Sequence, residues 1–227
     1  GAGAAWSEAI VAAIDEGTAI VALPHVHWTD GTRFDLERIG ARAKHVGAAF
    51  IIDGTQSIGA MPFDVGSVRA DAVVCAAYKW LLGPYALAFG WFGPMFDAGE
   101  PLEETWIGRE GSEDFQRLVE YRDAYQPGAI RYDVGERSSF LLMPIAIEAM
   151  RLVHGWGAAA IQQYCDDLFA PIIEEARQLG YGVETRACRG AHLFGLRVPG
   201  ALRLEELQHA LQERNVFASL RGSALRI

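Results

Sequence analysis

The sequence predicts an α/β protein built on a mainly parallel sheet, and three observations carry that expectation. Short apolar runs recur along the first half, segments of helical period lie between them, and two of the runs end abruptly at a charged residue. Trp6 to Glu16 places Ile10, Val11 and Ile14 on one side with Gly17 as a stop, which reads as a helix. Ala19 to Leu23 is a compact apolar run closed by Pro24, the pattern of a strand buried on both faces. Asp35 to Val46 reads as a helix closed by Gly47, and Ala48 to Ile52 as a second buried strand that stops at Asp53. A third strand is expected over Ala72 to Ala77, just before Lys79, and a fourth over Ala86 to Phe92, bounded by Pro84 and Gly93-Pro94.

The second half changes character. Pro101 to Pro127 is polar and aromatic without a period, which suits a long surface or interface segment. Leu141 to Val153 and Ala158 to Leu179 read as amphipathic helices, with a break at Gly155 to Gly157. A strand over Ala191 to Val198, a helix over Leu204 to Arg214 and a strand over Val216 to Leu220 complete a smaller α+β unit. The expected division is residues 1–135 in the larger domain and 136–227 in the smaller.

Composition narrows the function. With 51% hydrophobic and 22% charged residues, the chain of 227 can bury a core, and disorder is not expected. A formal charge of −9 disfavours nucleic acid and anionic membrane surfaces as partners, since both need a positive field. No apolar run approaches the roughly 20 residues of a membrane-spanning helix, and the start lacks the basic flank and apolar stretch of a signal peptide. The 3 cysteines, Cys75, Cys165 and Cys188, fit neither a disulfide framework nor a zinc site. A reducing cytoplasm and no metal are the expectations that follow.

In an open parallel sheet, ligands sit outside the carboxyl ends of the strands. Asp53 and Lys79 follow two strands at that rim. A lysine can react with an aldehyde cofactor, while a carboxylate can keep a ring nitrogen protonated. The ordinary alternatives are a capping or turn role for Asp53, Asp53-Gly54 as a hairpin turn, and a solvated surface position for Lys79. Thr55 to Ala60 does not alternate as a returning strand would, which weakens the hairpin, but spacing alone leaves the choice open. A nicotinamide-binding fold has little support, because no Gly-x-Gly-x-x-Gly opens a helix after a strand.

The words around these residues go further. Phe50-Ile-Ile-Asp-Gly-Thr-Gln-Ser-Ile-Gly59 and Asp71-Ala-Val-Val-Cys-Ala-Ala-Tyr-Lys-Trp-Leu-Leu-Gly-Pro84 resemble the cofactor region of class V aminotransferases. This is the branch that includes cysteine desulfurases, kynureninases and isopenicillin-N-epimerase-like proteins. Val21 to Thr32 resembles the family's preceding strand and loop, and Arg131 to Glu136 its segment that enters the partner subunit's site. The resemblance implies a PLP-dependent transferase fold of the aspartate-aminotransferase type. The chain would hold the C-terminal part of the large domain plus a small α+β domain. It implies pyridoxal 5'-phosphate (PLP) as cofactor, Lys79 as the Schiff-base lysine and proton carrier, Asp53 on the pyridine nitrogen, and Gln56 on the ring's phenolic oxygen. Tyr78 is similar to the family's phosphate-contacting residue beside the lysine, with a packed aromatic as its plain alternative. His27, at the end of the strand before Asp53, is a further cofactor candidate, and Trp28 stands where desulfurases carry an asparagine. Arg226, with Arg221 second, resembles the arginine that takes the substrate carboxylate, whose flat oxygen pair matches a guanidinium fork.

Departures from the family pattern shape the expected activity. The resemblance implies a further stretch before Gly1, carrying the phosphate-binding loop, and a continuation past Ile227. Between Arg221 and Arg226 stands Gly-Ser-Ala-Leu, without the cysteine that sulfur transfer would use. Glu136 replaces a threonine that in desulfurases meets the partner's phosphate, and a carboxylate there would repel it. The expected function is amino-acid transamination, and the resemblance implies a homodimer. Epimerisation at the α-carbon, kynureninase-like hydrolysis and a truncated non-catalytic remnant are the alternatives.

Overall fold

A computed structural model describes residues 2–200 and 202–227. Four strands, β1 (Ile20–Pro24), β2 (Ala49–Asp53), β3 (Ala72–Ala76) and β4 (Ala88–Phe92), form one sheet in that order. The pairs β1/β2 and β2/β3 are parallel, while β4 runs antiparallel to β3. The carboxyl ends of β1, β2 and β3 thus share one edge, and Asp53 stands on it.

Two helices cover one face of this sheet. α1 (Ala2–Ala13) ends earlier than Gly17 would suggest. Ile14 turns into the core, and the Asp15 carboxylate accepts from the Gly17 amide at 3.0 Å, closing a turn instead of another helical loop. α2 (Leu36–Val46) has both of its signals in place. The Asp35 side chain caps the Arg38 amide at 3.2 Å, and Gly47, at φ 77, returns its N–H to the last carbonyls. Leu36, Ile39, Gly40 and Ala43 fall on one helical face and pack with Phe50 and Ile52 of β2. The remaining sheet face is open. Ile20, Ala22 and Val74 are exposed, so the apolar runs alternate between covered and uncovered positions, and the expectation of strands buried on both faces fails. A short helix α3 (Val65–Val68) leads into β3, where buried Asp71 binds Lys44 and accepts from the Phe50 amide at 2.8 Å.

The middle of the chain consists of short 3-10 turns without long helices or strands. Its last part docks on β4: Tyr132 stacks on Phe92 at 4.7 Å, and Arg131 donates to the carbonyls of Gln126 and Gly99. Two helices follow, α4 (Leu142–Trp156) and α5 (Ala158–Gln178), separated at Gly157, whose φ of 80 ends one helix as the next begins.

The second sheet has three antiparallel strands, β5 (Gly195–Arg197), β6 (Ser219–Arg221) and β7 (Ala224–Arg226), in the order β5-β7-β6, with α6 (Leu204–Glu213) inserted before β6. Phe194, Leu196 and Leu225 pack against Ile173 and Ala176 of α5. β5 is shorter than the apolar run that predicts it, because the Ala191 amide donates to the Gln162 side chain at 3.0 Å. β6 begins late because the Val216 amide closes the end of α6 on Leu211. β7, which turns β6 into a hairpin, had no counterpart among the expected elements.

Gly59 shows how tightly the loops beyond β2 and β3 are joined. It sits at φ 97, and a Cβ there would lie 2.3 Å from the Trp80 carbonyl oxygen. Gly59→Ala is expected to destabilise the fold by about 2 kcal/mol or more, read from the shift of the denaturant midpoint at unchanged slope.

Candidate active site

The loop after β2 carries Gln56 and the loop after β3 carries Lys79. Asp53 accepts at one carboxylate oxygen from the Thr55 amide at 2.8 Å, and Thr55 Oγ1 accepts from the Ala76 amide at 3.1 Å, so the two strand ends are laced together. Lys79 lies in a tight connection in which Leu82 N–H reaches the Lys79 carbonyl and Gly83 N–H the Ala77 carbonyl. Leu82 (φ 55) and Ala86 (φ 66) are held in the left-handed region, a local strain that fixes this loop.

Trp28, Gln56, Lys79, Trp80, Leu82, Leu193, Arg221 and Arg226 line one open cavity of about 540 Å³. Four of the residues expected to be functional, Gln56, Lys79, Arg221 and Arg226, therefore meet. The remaining three do not line it. Asp53 is exposed at the same sheet edge. Tyr78 stacks on Tyr85 at 4.4 Å, with the Lys79 ammonium 5.7 Å from its ring. His27 faces Trp6 and Phe34, its Nδ1 2.6 Å from Thr29 Oγ1, so it belongs to the packing under α1.

The side chain of Gln56 is set by neighbours that sequence reasoning did not find. The indole N–H of Trp80 donates to Gln56 Oε1 at 3.1 Å. That leaves the Gln56 amide N–H groups to face the cavity. Behind it, His192 Nε2 lies 2.7 Å from the Gln56 carbonyl, and His192 Nδ1 lies 2.8 Å from Gln162 Nε2. The orientation of Gln162 is fixed, since its Oε1 accepts from the Ala191 amide and its Nε2 also donates to the Ala60 carbonyl. Nδ1 must then accept, so Nε2 carries the proton and donates. Burial lowers the pKa of His192 from its ordinary value, an effect the bond to the Gln56 carbonyl opposes and Arg186 reinforces. The signal in the sequence was a histidine at the start of a mainly apolar run, Ala191 to Leu196.

Arg226 donates to the Trp28 carbonyl at 2.9 Å, and the Arg221 guanidinium lies 5.7 Å from the Trp28 ring. Neither arginine, nor Lys79, forms an ion pair among the described residues, and no Asp or Glu lines the cavity. Also among the described residues, no cluster of His, Cys, Asp and Glu could hold a metal ion, and no helix is long and apolar enough to cross a membrane.

Residues 2–92 match the family model for aminotransferase class V. That segment contains Asp53, Gln56 and Lys79, so the resemblance of the motif words holds there as a family match. The chain is similar to "Uncharacterized aminotransferase YcbU" of Bacillus subtilis, at 26% identity over 94% of this chain and 55% of that one. It is also similar to a kynureninase of Pseudomonas fluorescens, at 38% identity over 56% of this chain and 30% of that one. Among solved structures, a C-DES mutant with glycine covalently linked to its PLP cofactor superimposes with a TM-score of 0.79 at 18% identity, over 97% of this chain and 58% of that one. The fold is that of the PLP-dependent fold type I enzymes. The chain spans about half or less of the length of these curated relatives.

His25 gives the site edge a pH dependence. It is buried against Phe63, and its amide donates to the Asp53 carbonyl at 3.1 Å. Burial foremost, then the charge of Arg33 and the proximity of His192, pushes its pKa down to about 3 from 6.5. The unfolded chain therefore takes up a proton that the folded chain refuses. The associated stability is whole above 6.5 and is lost as pH falls from there toward about 3. Removing this titration with His25→Leu is expected to flatten the acid limb by about 2 kcal/mol near pH 5, measured by chemical unfolding across the range.

Proposed function

We propose that this chain is the catalytic part of a PLP-dependent enzyme of the class V aminotransferase type, acting on an amino acid by transamination. The observation that carries it is one cavity holding Lys79, the Gln56 amide and two arginines that lack an ion partner among the described residues.

The residues fit the cofactor by the valences they leave open. Asp53 uses one carboxylate oxygen on Thr55, and the other has no partner among the described residues, as a carboxylate facing a pyridine nitrogen requires. Gln56 has spent its oxygen on Trp80, so its N–H groups can donate to a phenolic oxygen. Lys79 is free of carboxylates and can hold an aldehyde. When bound, PLP supplies an electron-accepting ring that acidifies the substrate's α-carbon.

The protein's own contributions follow from their places. Lys79 Nζ would remove the proton at the substrate's α-carbon. Arg226 would orient the substrate carboxylate, and Trp28, pinned through its carbonyl, walls one side of the cavity. Sulfur transfer through a protein thiol is disfavoured, because no cysteine lines the cavity. Exposed Trp106, Phe115, Tyr121, Phe140 and Leu141 would suit the homodimer contact this enzyme type needs for a complete site.

The test is chemical labelling. After incubation with PLP and reduction with borohydride, peptide mass mapping is expected to find a pyridoxyl group on Lys79, and none in Lys79→Ala. A folded protein left unlabelled would refute the cofactor reading for this chain. For the reaction itself, with PLP and a second 2-oxo acid present as amino acceptor, an added L-amino acid should yield its 2-oxo acid while the acceptor becomes the matching amino acid. Racemised substrate or side-chain cleavage would instead favour epimerisation or hydrolysis.

A further inference from the structure

The two arginines of the cavity come from one hairpin. Gly222, at φ 57, and Ser223 form its two-residue turn, and Arg221 pairs with Ala224 while Arg226 pairs with Ser219. With side chains alternating along each strand, Leu220 and Leu225 point to the core under α5, and Arg221 and Arg226 share the opposite face. They are diagonal neighbours across the hairpin, about 7–8 Å apart at the backbone. Each is also tethered. Arg226 donates one N–H to the Trp28 carbonyl, and Arg221 donates Nη1 to the Leu220 carbonyl at 2.9 Å while leaning on the Trp28 ring.

Their charge is uncompensated. Arg221 Nε is buried without a hydrogen-bond partner, and neither guanidinium meets a carboxylate among the described residues. This is unusual in a chain whose net charge is −9. Two like charges on one face repel, and the arrangement becomes favourable only when anions fill it. A single carboxylate would satisfy one guanidinium fork and leave the other bare.

Resting on the reading of the cavity as an amino-acid site, we propose that Arg221 and Arg226 form a two-point anion site, and that the substrate is an amino acid carrying a second carboxylate on its side chain. Arg226 takes the α-carboxylate and Arg221 the side-chain carboxylate. The diagonal spacing across the hairpin sets the length of substrate that reaches both.

Binding can be read without the cofactor, because Trp28 and Trp80 line the cavity and report through tryptophan emission. The probes are succinate, with two carboxylates, and propionate, with one. Succinate is expected to give a saturable change with an affinity at least roughly ten-fold above that of propionate. Arg221→Gln should weaken succinate several-fold more than propionate and so remove the preference, and Arg226→Gln should weaken both. Arg221→Lys, which keeps the charge, should retain part of the preference, which separates loss of the anion site from loss of fold. Equal affinities, no saturable change, or a preference that survives Arg221→Gln would overturn the proposal. Since PLP is absent from this assay, failure of Lys79 labelling would not alter its outcome, and a negative result here would leave the cofactor reading standing.

Discussion

His192 joins the two sheets through a single neutral imidazole. One nitrogen accepts from Gln162 on α5 and the other donates to the backbone of Gln56 beyond β2, while the ring edge meets Trp80 beyond β3 at 4.6 Å. Both ring nitrogens are satisfied only if the imidazole is uncharged with its proton on Nε2. Burial favours that state, since a charged ring would pay desolvation and lose its acceptor. Removing the ring would leave the Gln56 carbonyl and the Gln162 amide without these partners inside the protein, at about 1–3 kcal/mol for each buried group.

The candidate site depends on that link. Gln56 presents its amide to the cavity because its carbonyl is held by His192 and its side-chain oxygen by Trp80. Lys79 is carried by the same loop as Trp80, and that loop is pressed onto Gly59 of the β2 loop. From the other side, Phe194 and Ile227 exchange backbone hydrogen bonds, which carries β7, and Arg226 with it, alongside the segment that bears His192. The sheet edge carries Asp53, Gln56 and Lys79, and the hairpin carries Arg221 and Arg226. The imidazole holds the two in register.

Much of this was legible in the sequence. Strand ends at Asp53 and before Lys79 and the Gly47 stop all express themselves locally, so the larger sheet and its site edge could be read directly. The family words around Gln56 and Lys79 added an expectation of cofactor chemistry, and the structure brings both residues into one cavity with the two arginines. Other features depend on contacts distant in the chain. The exposure of Ile20 and Val74 follows from what covers the sheet, which no periodicity in short apolar runs reveals. His27 looked like a site residue by proximity to the strand end, yet alternation along the chain turns it toward Trp6. The β6–β7 hairpin hid in a segment whose leucines alternate with arginines, a pattern that is plain only once the core under α5 is known. His192 and Gln162 stand 30 positions apart, and nothing local marks them as partners.

The most direct measurement is nitrogen NMR of protein labelled at its histidines, with the His192 signals assigned by their loss in His192→Gln. His192 is expected to show the neutral Nε2–H tautomer and to remain neutral as pH passes below its ordinary value of 6.5. A ring with its proton on Nδ1, or one that protonates at 6.5 or above, would contradict the link between the sheets and the positioning of Gln56 that depends on it.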